Sequence, residues 1–370
     1  MKQLVPLTTL VVFIALAAAA PWLVGDGSVG LLFEVLLMLA MAQLWNLLAG
    51  YTGLVSMGLQ CFVGLGGYTT IFAANSLSVS PYWVLPLAPL VCGLIGAVSA
   101  IFLFRLRDAY FSISTWVFAE VVAMLVFVAP GLGHVTGMTL ETAREIDYET
   151  FLLANFWIAA ALTAGVVIGI YVLLHSPLGL GMLSVRDDEI AAASIGVNVW
   201  RNRFIAYVAA AAGCGLAGGI SFMAALFITV TTGFDLNWVV AMIFIVIIGG
   251  IGTLEGPIVG TAIYYGIREL LTNVFALSGS WYLVALGAVA VATMLIAPRG
   301  IWPFIRGHLG IEWLGISRKL ADAAAAAESA AIAPEAQQLG IECDKGSANE
   351  PHDAPTRHFG IRGRPTTGQL

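Results

Sequence analysis

Residues 29–49 read VGLLFEVLLMLAMAQLWNLLA. Only Glu34, Gln43 and Asn46 carry polar side chains there, and everything else is apolar or glycine. The run is long enough to cross a bilayer, which takes about 20 apolar residues as a helix. It is continuous rather than alternating, which selects a spanning helix over a barrel strand. Comparable runs lie at roughly 4–24, 53–75, 82–104, 109–130, 151–174, 204–229, 236–251, 254–272 and 276–296. With residues 29–49 they make about ten helical segments. The run at 53–75 and the pair at 236–251 and 254–272 are short or interrupted by glycine, as half-helices and re-entrant elements are. The expectation is an all-α, polytopic transmembrane bundle of about 8–10 spans with Gly-broken helices.

Composition agrees. The 370 residues are 59% hydrophobic and 10% charged, with a mean hydropathy of +0.92. A soluble domain is about 25% charged, because its surface must be covered by polar groups. An ordinary soluble globule is therefore excluded. Lys2, the first apolar run and Ala18–Ala20 also suit a cleaved secretory signal, but the run continues through Pro21 to Val24, as a retained first span does.

Basic residues set the orientation. Arg105 and Arg107 share one short loop, Arg186, Arg201 and Arg203 a second, and Arg299, Arg306, Arg318 and Lys319 follow the last span. The opposite loops are acidic, with Asp26 in one and Glu141, Glu145, Asp147 and Glu149 against Arg144 in the other. Both termini are thus expected on the cytoplasmic side of the membrane. Residues 1–304 form the transmembrane domain, and 305–370 a largely disordered cytoplasmic tail, rich in Ala, Pro, Gln and Asp.

Several chemistries are missing. The three lysines, Lys2, Lys319 and Lys345, each lack a preceding glycine, so there is no phosphate-binding P-loop. No nucleophile elbow, metalloprotease helix or Cys/His metal spacing occurs. The reading is a non-catalytic chain with no cofactor, no metal and no nucleic acid partner. Any energy must come from another subunit or an ion gradient.

The basic loop at 175–203 is the longest such connection. Ser184 followed by Asp187 reads as a capping box with Asp in the place of Glu. Asp187, Asp188 and Glu189 suit the positive end of a helix dipole. Ala191 to Ala193 favour helix with little bulk, and Gly196 is a natural stop. The expectation is one short helix of roughly 185–195, whose small-residue face at Ala191, Ala192 and Ala193 lets a partner's backbone come close.

The second motif class is glycine. Gly50, Gly53 and Gly58 bracket one break, and Gly249, Gly250, Gly252, Gly256 and Gly260 another. Small residues let membrane helices pack closely, and broken helices free backbone groups that can line a pathway. The pathway candidates are Gly53, Ser56, Gly58 and Gln60 in the first region and Gly250, Gly252, Thr253, Glu255 and Gly256 in the second. Among ionisable groups in apolar runs, Glu34 and Glu120 each have two readings, a functional carboxylate or one that sits near a span end or pairs with an arginine, whereas Glu255 sits inside the second break and is the better pathway candidate.

These motifs resemble, in order, those of the permease subunits of the branched-chain amino-acid ABC transporter family. Gly50-Tyr51-Thr52-Gly53-Leu54-Val55-Ser56-Met57-Gly58 is similar to its G-Y-x-G-x-x-S-x-G element. Arg105-Leu106-Arg107 with Tyr110-Phe111 is similar to R-L-R-x-x-Y-F. Gly249 to Pro257 with Gly260 is similar to G-G-x-G-[ST]-x-x-G-P-x-x-G, and Pro298-Arg299-Gly300-Ile301 to P-R-G-[IL]. In the 175–203 loop, Gly179, Arg186, Asp187, Glu189, Ala191, Ala192, Gly196 and Val197 match the ATPase-coupling loop of ABC importers, while Leu180 and Leu183 stand where the family has arginines.

The resemblance implies a subunit of an ATP-driven importer. Its partners would be ABC ATPase subunits, a second related permease subunit and a periplasmic substrate-binding protein, all around the lipid bilayer. Its substrates would be leucine, isoleucine and valine, or related small amino acids and amides. The coupling role falls to Ser184, Arg186, Asp187, Asp188, Glu189, Ala192 and Gly196. The alternative from the residues alone is an ion-coupled secondary transporter in which an intramembrane carboxylate, Glu34, Glu120 or Glu255, carries a proton, and a third is a membrane scaffold subunit.

Overall fold

A computed structural model describes residues 26–106, 108–132, 136–142, 148–271 and 300–309, with scattered positions between 284 and 295. The expected first span at 4–24 and the tail beyond 309 lie outside the described residues, as does most of the expected span at 276–296. Among the described residues six helical stretches are long and apolar enough to cross a membrane: Val29–Thr52, Pro81–Leu103, Ala109–Val128, Glu149–His175, Val199–Ala225 and Val230–Gly249.

The helices follow the apolar runs. They are α1 (Asp26–Thr52), α2 (Gln60–Leu77), α3 (Pro81–Val84), α4 (Leu87–Leu103), α5 (Asp108–Val128) and α6 (Tyr148–His175). Then come α7 (Pro177–Asp187), α8 (Glu189–Ser194), α9 (Val199–Ala225), α10 (Val230–Gly233), α11 (Asn237–Gly249), α12 (Gly256–Glu269) and α13 (Ile301–Leu309). The interruptions expected near 53 and 252 are present as non-helical segments between α1 and α2 and between α11 and α12. A two-residue antiparallel bridge adds to the expected all-helical architecture: β1 (Met138–Thr139) pairs with β2 (Phe227–Ile228). Asn75 reinforces it, donating to the Thr139 carbonyl at 2.8 Å and accepting from Glu141 N–H at 3.1 Å.

The bundle packs on α9. Lipid offers no hydrophobic drive between helices, so close backbone approach and dispersion must hold them. Glycine makes that approach possible here. A Cβ at Gly66 of α2 would collide with the Gly215 carbonyl of α9, and one at Gly218 with the Val63 carbonyl. A Cβ at Gly215 would strike the Cys92 side chain of α4. Helices α2 and α9 thereby meet backbone to backbone, and α4 closes on α9 through Cys92. Near one end of this packing Tyr207 takes edge contacts from Phe62 at 5.9 Å and Phe104 at 5.6 Å. Toward the outside, Trp83, Leu90, Leu94, Phe102 and Met124 are exposed on the spans, as side chains that meet lipid or another subunit are.

Candidate functional site

The 175–203 loop folds differently from the single capped helix expected. Ser176, not Ser184, starts it: the Ser176 hydroxyl accepts from Gly179 N–H at 3.4 Å, and Pro177 occupies the first turn of α7. Serine followed by proline is a strong start signal, because the proline's missing N–H would have had no helical partner anyway. Ser184 lies inside α7, and its hydroxyl donates to the Leu180 carbonyl at 2.9 Å. The helix then breaks at Asp188, whose extended backbone (φ −156°, ψ 111°) lets its carboxylate cap α8. That carboxylate accepts from Ile190 N–H at 2.9 Å and Ala191 N–H at 3.0 Å. Asp188 therefore outcompetes Ser184 as the cap, and the loop is an elbow of two helices.

Helix α8 closes at Gly196, which has a φ of +88°. Gly196 N–H bonds the Ala193 carbonyl at 3.0 Å and Val197 N–H the Ala192 carbonyl at 3.0 Å, a Schellman closure. Ala192, expected on the face open to a partner, is instead buried, because the chain folds back over it as Val197 N–H closes onto its carbonyl. Nothing lies within 4 Å of a Cβ built at Gly196, so Gly196→Ala meets only the left-handed backbone strain. It is expected to cost about 1–2 kcal/mol, read as a small fall in thermal midpoint in detergent.

Ile190 and Ile195 stand out from α8, 78% and 77% exposed. The inner side is anchored by charge. Glu189 pairs with Arg203 of α9 at 3.0 Å. A cleft of about 610 Å³ opens beside that pair, lined by Gly53, Val55, Ser112, Asp188, Glu189 and Arg203 among others.

The sequence sets Arg186 among the coupling residues of an exposed loop. Its guanidinium instead points both ways: Nε and Nη2 reach the Asp187 carboxylate at 3.0 and 2.8 Å, and Nη1 donates to the Gly50 carbonyl at 2.9 Å. Gly50 lies in the last turn of α1, whose carbonyls lack helical partners. An arginine there satisfies an orphan acceptor at the negative end of the helix dipole.

The two Gly-rich breaks meet at this point, which no local reading of either could show. A Cβ at Gly50 would collide with Gly252 N–H and the Asn46 side chain. Asn46 stitches the breaks: its Oδ1 accepts from Gly252 N–H at 2.9 Å and its Nδ2 donates to the Thr253 carbonyl at 2.8 Å. One turn earlier Gln43 donates to the Leu254 carbonyl at 2.7 Å. Thr253 ties its own turn, donating to the Gly250 carbonyl at 2.9 Å and accepting from Gly256 N–H at 3.0 Å. Gly53 and Gly252 adopt φ of +74° and +76°, a left-handed conformation that favours glycine. Gly250 caps α11, and the backbone of Gly300 packs against it. Glu255 is buried at the start of α12.

The other pathway candidates follow the non-helical link from Gly53 to α2. Ser112 of α5 donates to the Val55 carbonyl at 2.6 Å, and Met57 N–H donates to Thr115 Oγ1 at 3.1 Å. The Ser56 carbonyl accepts from Trp45 Nε1 at 2.9 Å, and its hydroxyl from Gly58 N–H at 3.3 Å. Gly58 abuts the Thr115 carbonyl. Gln60 opens α2 fully buried, with neither amide atom hydrogen-bonded. The candidates thus form two groups: the junction at 50–53 and 250–256, and the link 55–60 along α5. Glu34 pairs with Arg268 at 2.8 Å, and Glu120 accepts from Trp116 Nε1 at 3.2 Å.

In the sequence Gln43 and Asn46 stand out only as polar residues in an apolar run, with no role attached. Their spacing with Gly50 is the available signal, since residues 43, 46 and 50 share one helix face.

The family described as branched-chain amino acid transport system / permease component matches residues 27–294. The chain is 27% identical to the high-affinity branched-chain amino acid transport system permease protein LivM of Escherichia coli (strain K12), over 82% of this chain and 76% of that protein. It is 26% identical, over the same shares, to the LivM protein of Salmonella typhimurium. To the probable branched-chain amino acid transport permease protein LivH of Methanocaldococcus jannaschii it is 25% identical, over 69% of this chain and 83% of that one. No solved structure matches.

Proposed function

We propose, from the premise that this chain belongs to the family of branched-chain amino acid transport system permease components, that it is the membrane-spanning subunit through which an ATP-driven importer moves leucine, isoleucine and valine. The chain hydrolyses nothing itself. A periplasmic binding protein delivers the substrate, a second related permease completes the pore, and partner ATPases grip α8 from the cytoplasm. Both termini of this bacterial inner-membrane chain face the cytoplasm. Residues 1–304 carry the transmembrane work, and 305–370 form a cytoplasmic tail.

The observation that supports this best is α8 itself. A helix of six residues has almost no stability of its own, yet this one is capped at both ends and anchored by Glu189–Arg203. It displays two isoleucines to the outside. Exposed apolar anchors on a fixed support suit docking of another protein. Ser184, Asp187 and Gly196 shape the elbow that carries them. The pathway role of Gly53, Ser56, Gly58, Gln60, Gly250, Gly252, Thr253, Glu255 and Gly256 rests on their place at or beside the two breaks.

The test is purification of the chain in mild detergent from its own membranes. An ABC ATPase is expected to co-purify. Ile190→Asp should weaken that association by about 2 kcal/mol, roughly 30-fold, with unchanged yield of the membrane chain. Absence of any ATPase, or full retention by the variant, would count against the docking role.

A further inference from the structure

We propose that Arg186 is a positioning residue that locks the α7–α8 elbow to both helix breaks, so that displacement of α8 moves the two breaks as one body. The proposal rests on the permease reading above and says which contact carries motion inward.

The geometry leaves Arg186 few alternatives. Two of its nitrogens are held by Asp187, which fixes the guanidinium plane, and the third donates to the Gly50 carbonyl at 2.9 Å. A Cβ at Gly252 would sit 2.8 Å from that same Nη1 and 2.9 Å from the Gly50 carbonyl oxygen. The guanidinium edge is therefore packed against the second break while it is bonded to the first. The elbow backbone is close as well: a Cβ at Gly53 would lie 3.6 Å from the Arg186 Cα. Gly50, Gly252 and Arg186 thus meet at one point, and Asn46 joins the two breaks beside it.

Leverage follows from what is soft and what is stiff. The elbow turns at Asp188, so a tilt of α8 passes to α7 across that single residue. Arg186 lies two residues before the turn, on the stiff side, and its planar fork holds a fixed direction that a lysine cannot reproduce. A tilt of α8 that carries α7 along pulls on Gly50 and pushes on Gly252 together. Asp187, adjacent to the turn, supplies the counter-charge that keeps the fork aimed.

The experiment uses the whole transporter, with its ATPases and binding protein, in liposomes. Transport of labelled leucine and ATP hydrolysis are measured together for the parent, Arg186→Leu and Arg186→Lys. R186L is expected to hydrolyse ATP while moving about tenfold less leucine per ATP, a coupling loss typical of a severed allosteric contact. The KM for the loaded binding protein should hold, and R186K should recover some of the loss. An unchanged ratio of transport to hydrolysis in R186L overturns the proposal, whereas a parent that shows no ATP-driven uptake overturns the permease reading instead. If R186L does not reach the membrane, a label pair on Leu180→Cys and Val55→Cys in the otherwise native complex decides. Their separation should stay constant between the nucleotide-free and ATP-bound states, and an ATP-dependent change would overturn the lock.

Discussion

Replacing Gly66 with valine will leave little folded protein in the membrane. The Gly66 Cα faces the Gly215 carbonyl, and the neighbouring turn of α9 meets α2 again where Gly218 faces the Val63 carbonyl. Both sides of this contact are helix backbone, so no rotamer can swing aside to admit a side chain. Added volume in a packed interior usually costs about 1–3 kcal/mol through local shifts. Here a whole helix must move away from its neighbour, and the cost should reach about 3 kcal/mol or more, at the top of that range. The control is Gly93→Ala on α4, where a Cβ would find Ala212 at an ordinary 3.5 Å. It should be neutral, or stabilising by about 1 kcal/mol or less, because alanine favours helix over glycine. Thermal midpoints and detergent-extracted yield would separate these variants, and a folded, stable Gly66→Val would refute the packing account.

Asn46→Leu should be the most damaging change among the polar residues of the site. Leucine has nearly the same shape, so no cavity is created. What is lost is the pair of bonds across the junction, leaving Gly252 N–H and the Thr253 carbonyl without partners in a half-buried place. Each stranded backbone group costs about 1–3 kcal/mol, so the breaks would come apart at a cost of about 2–6 kcal/mol. Asn46→Asp should also fail, since a carboxylate keeps the acceptor for Gly252 N–H but faces the Thr253 carbonyl without a donor. Leucine uptake by cells carrying the variants is the measurement. Parental uptake by Asn46→Leu at normal abundance would mean that the junction holds nothing together.

The spans are legible because a bilayer demands long apolar runs: 29–49 and 151–174 lie inside α1 and α6, and 109–130 overruns the end of α5 by two residues. Helix α9 starts five residues before its apolar run does, because Asn198 caps it, its Oδ1 accepting from Arg201 N–H at 2.9 Å. Gly196 is legible as a stop, since its position after an alanine run leaves it few other roles. The elbow is not. Three consecutive acids and a serine offer several caps, and only the backbone turn at Asp188 chooses among them. The junction is legible only in outline: glycine density marks both breaks, but nothing local says that residues 50 and 252 touch. The inward reach of Arg186 is hidden for the same reason. A charged residue in a basic loop reads as surface, and the acceptor that draws it inward lies 136 residues away. The pairing of Glu34 with Arg268 is one of the two readings open to that carboxylate, and it leaves a proton carrier at position 34 tied to a counter-ion.

The central claim is that ATP, used by another subunit and felt through α8, drives amino-acid entry through this chain. Uptake of labelled leucine into liposomes that hold the complete complex tests it most directly, with ATP and an uncoupler varied independently. The account predicts uptake that needs ATP and the binding protein and persists when the ion gradients are collapsed. Uptake by this chain without an ATPase, abolished by the uncoupler while ATP is held constant, would contradict it.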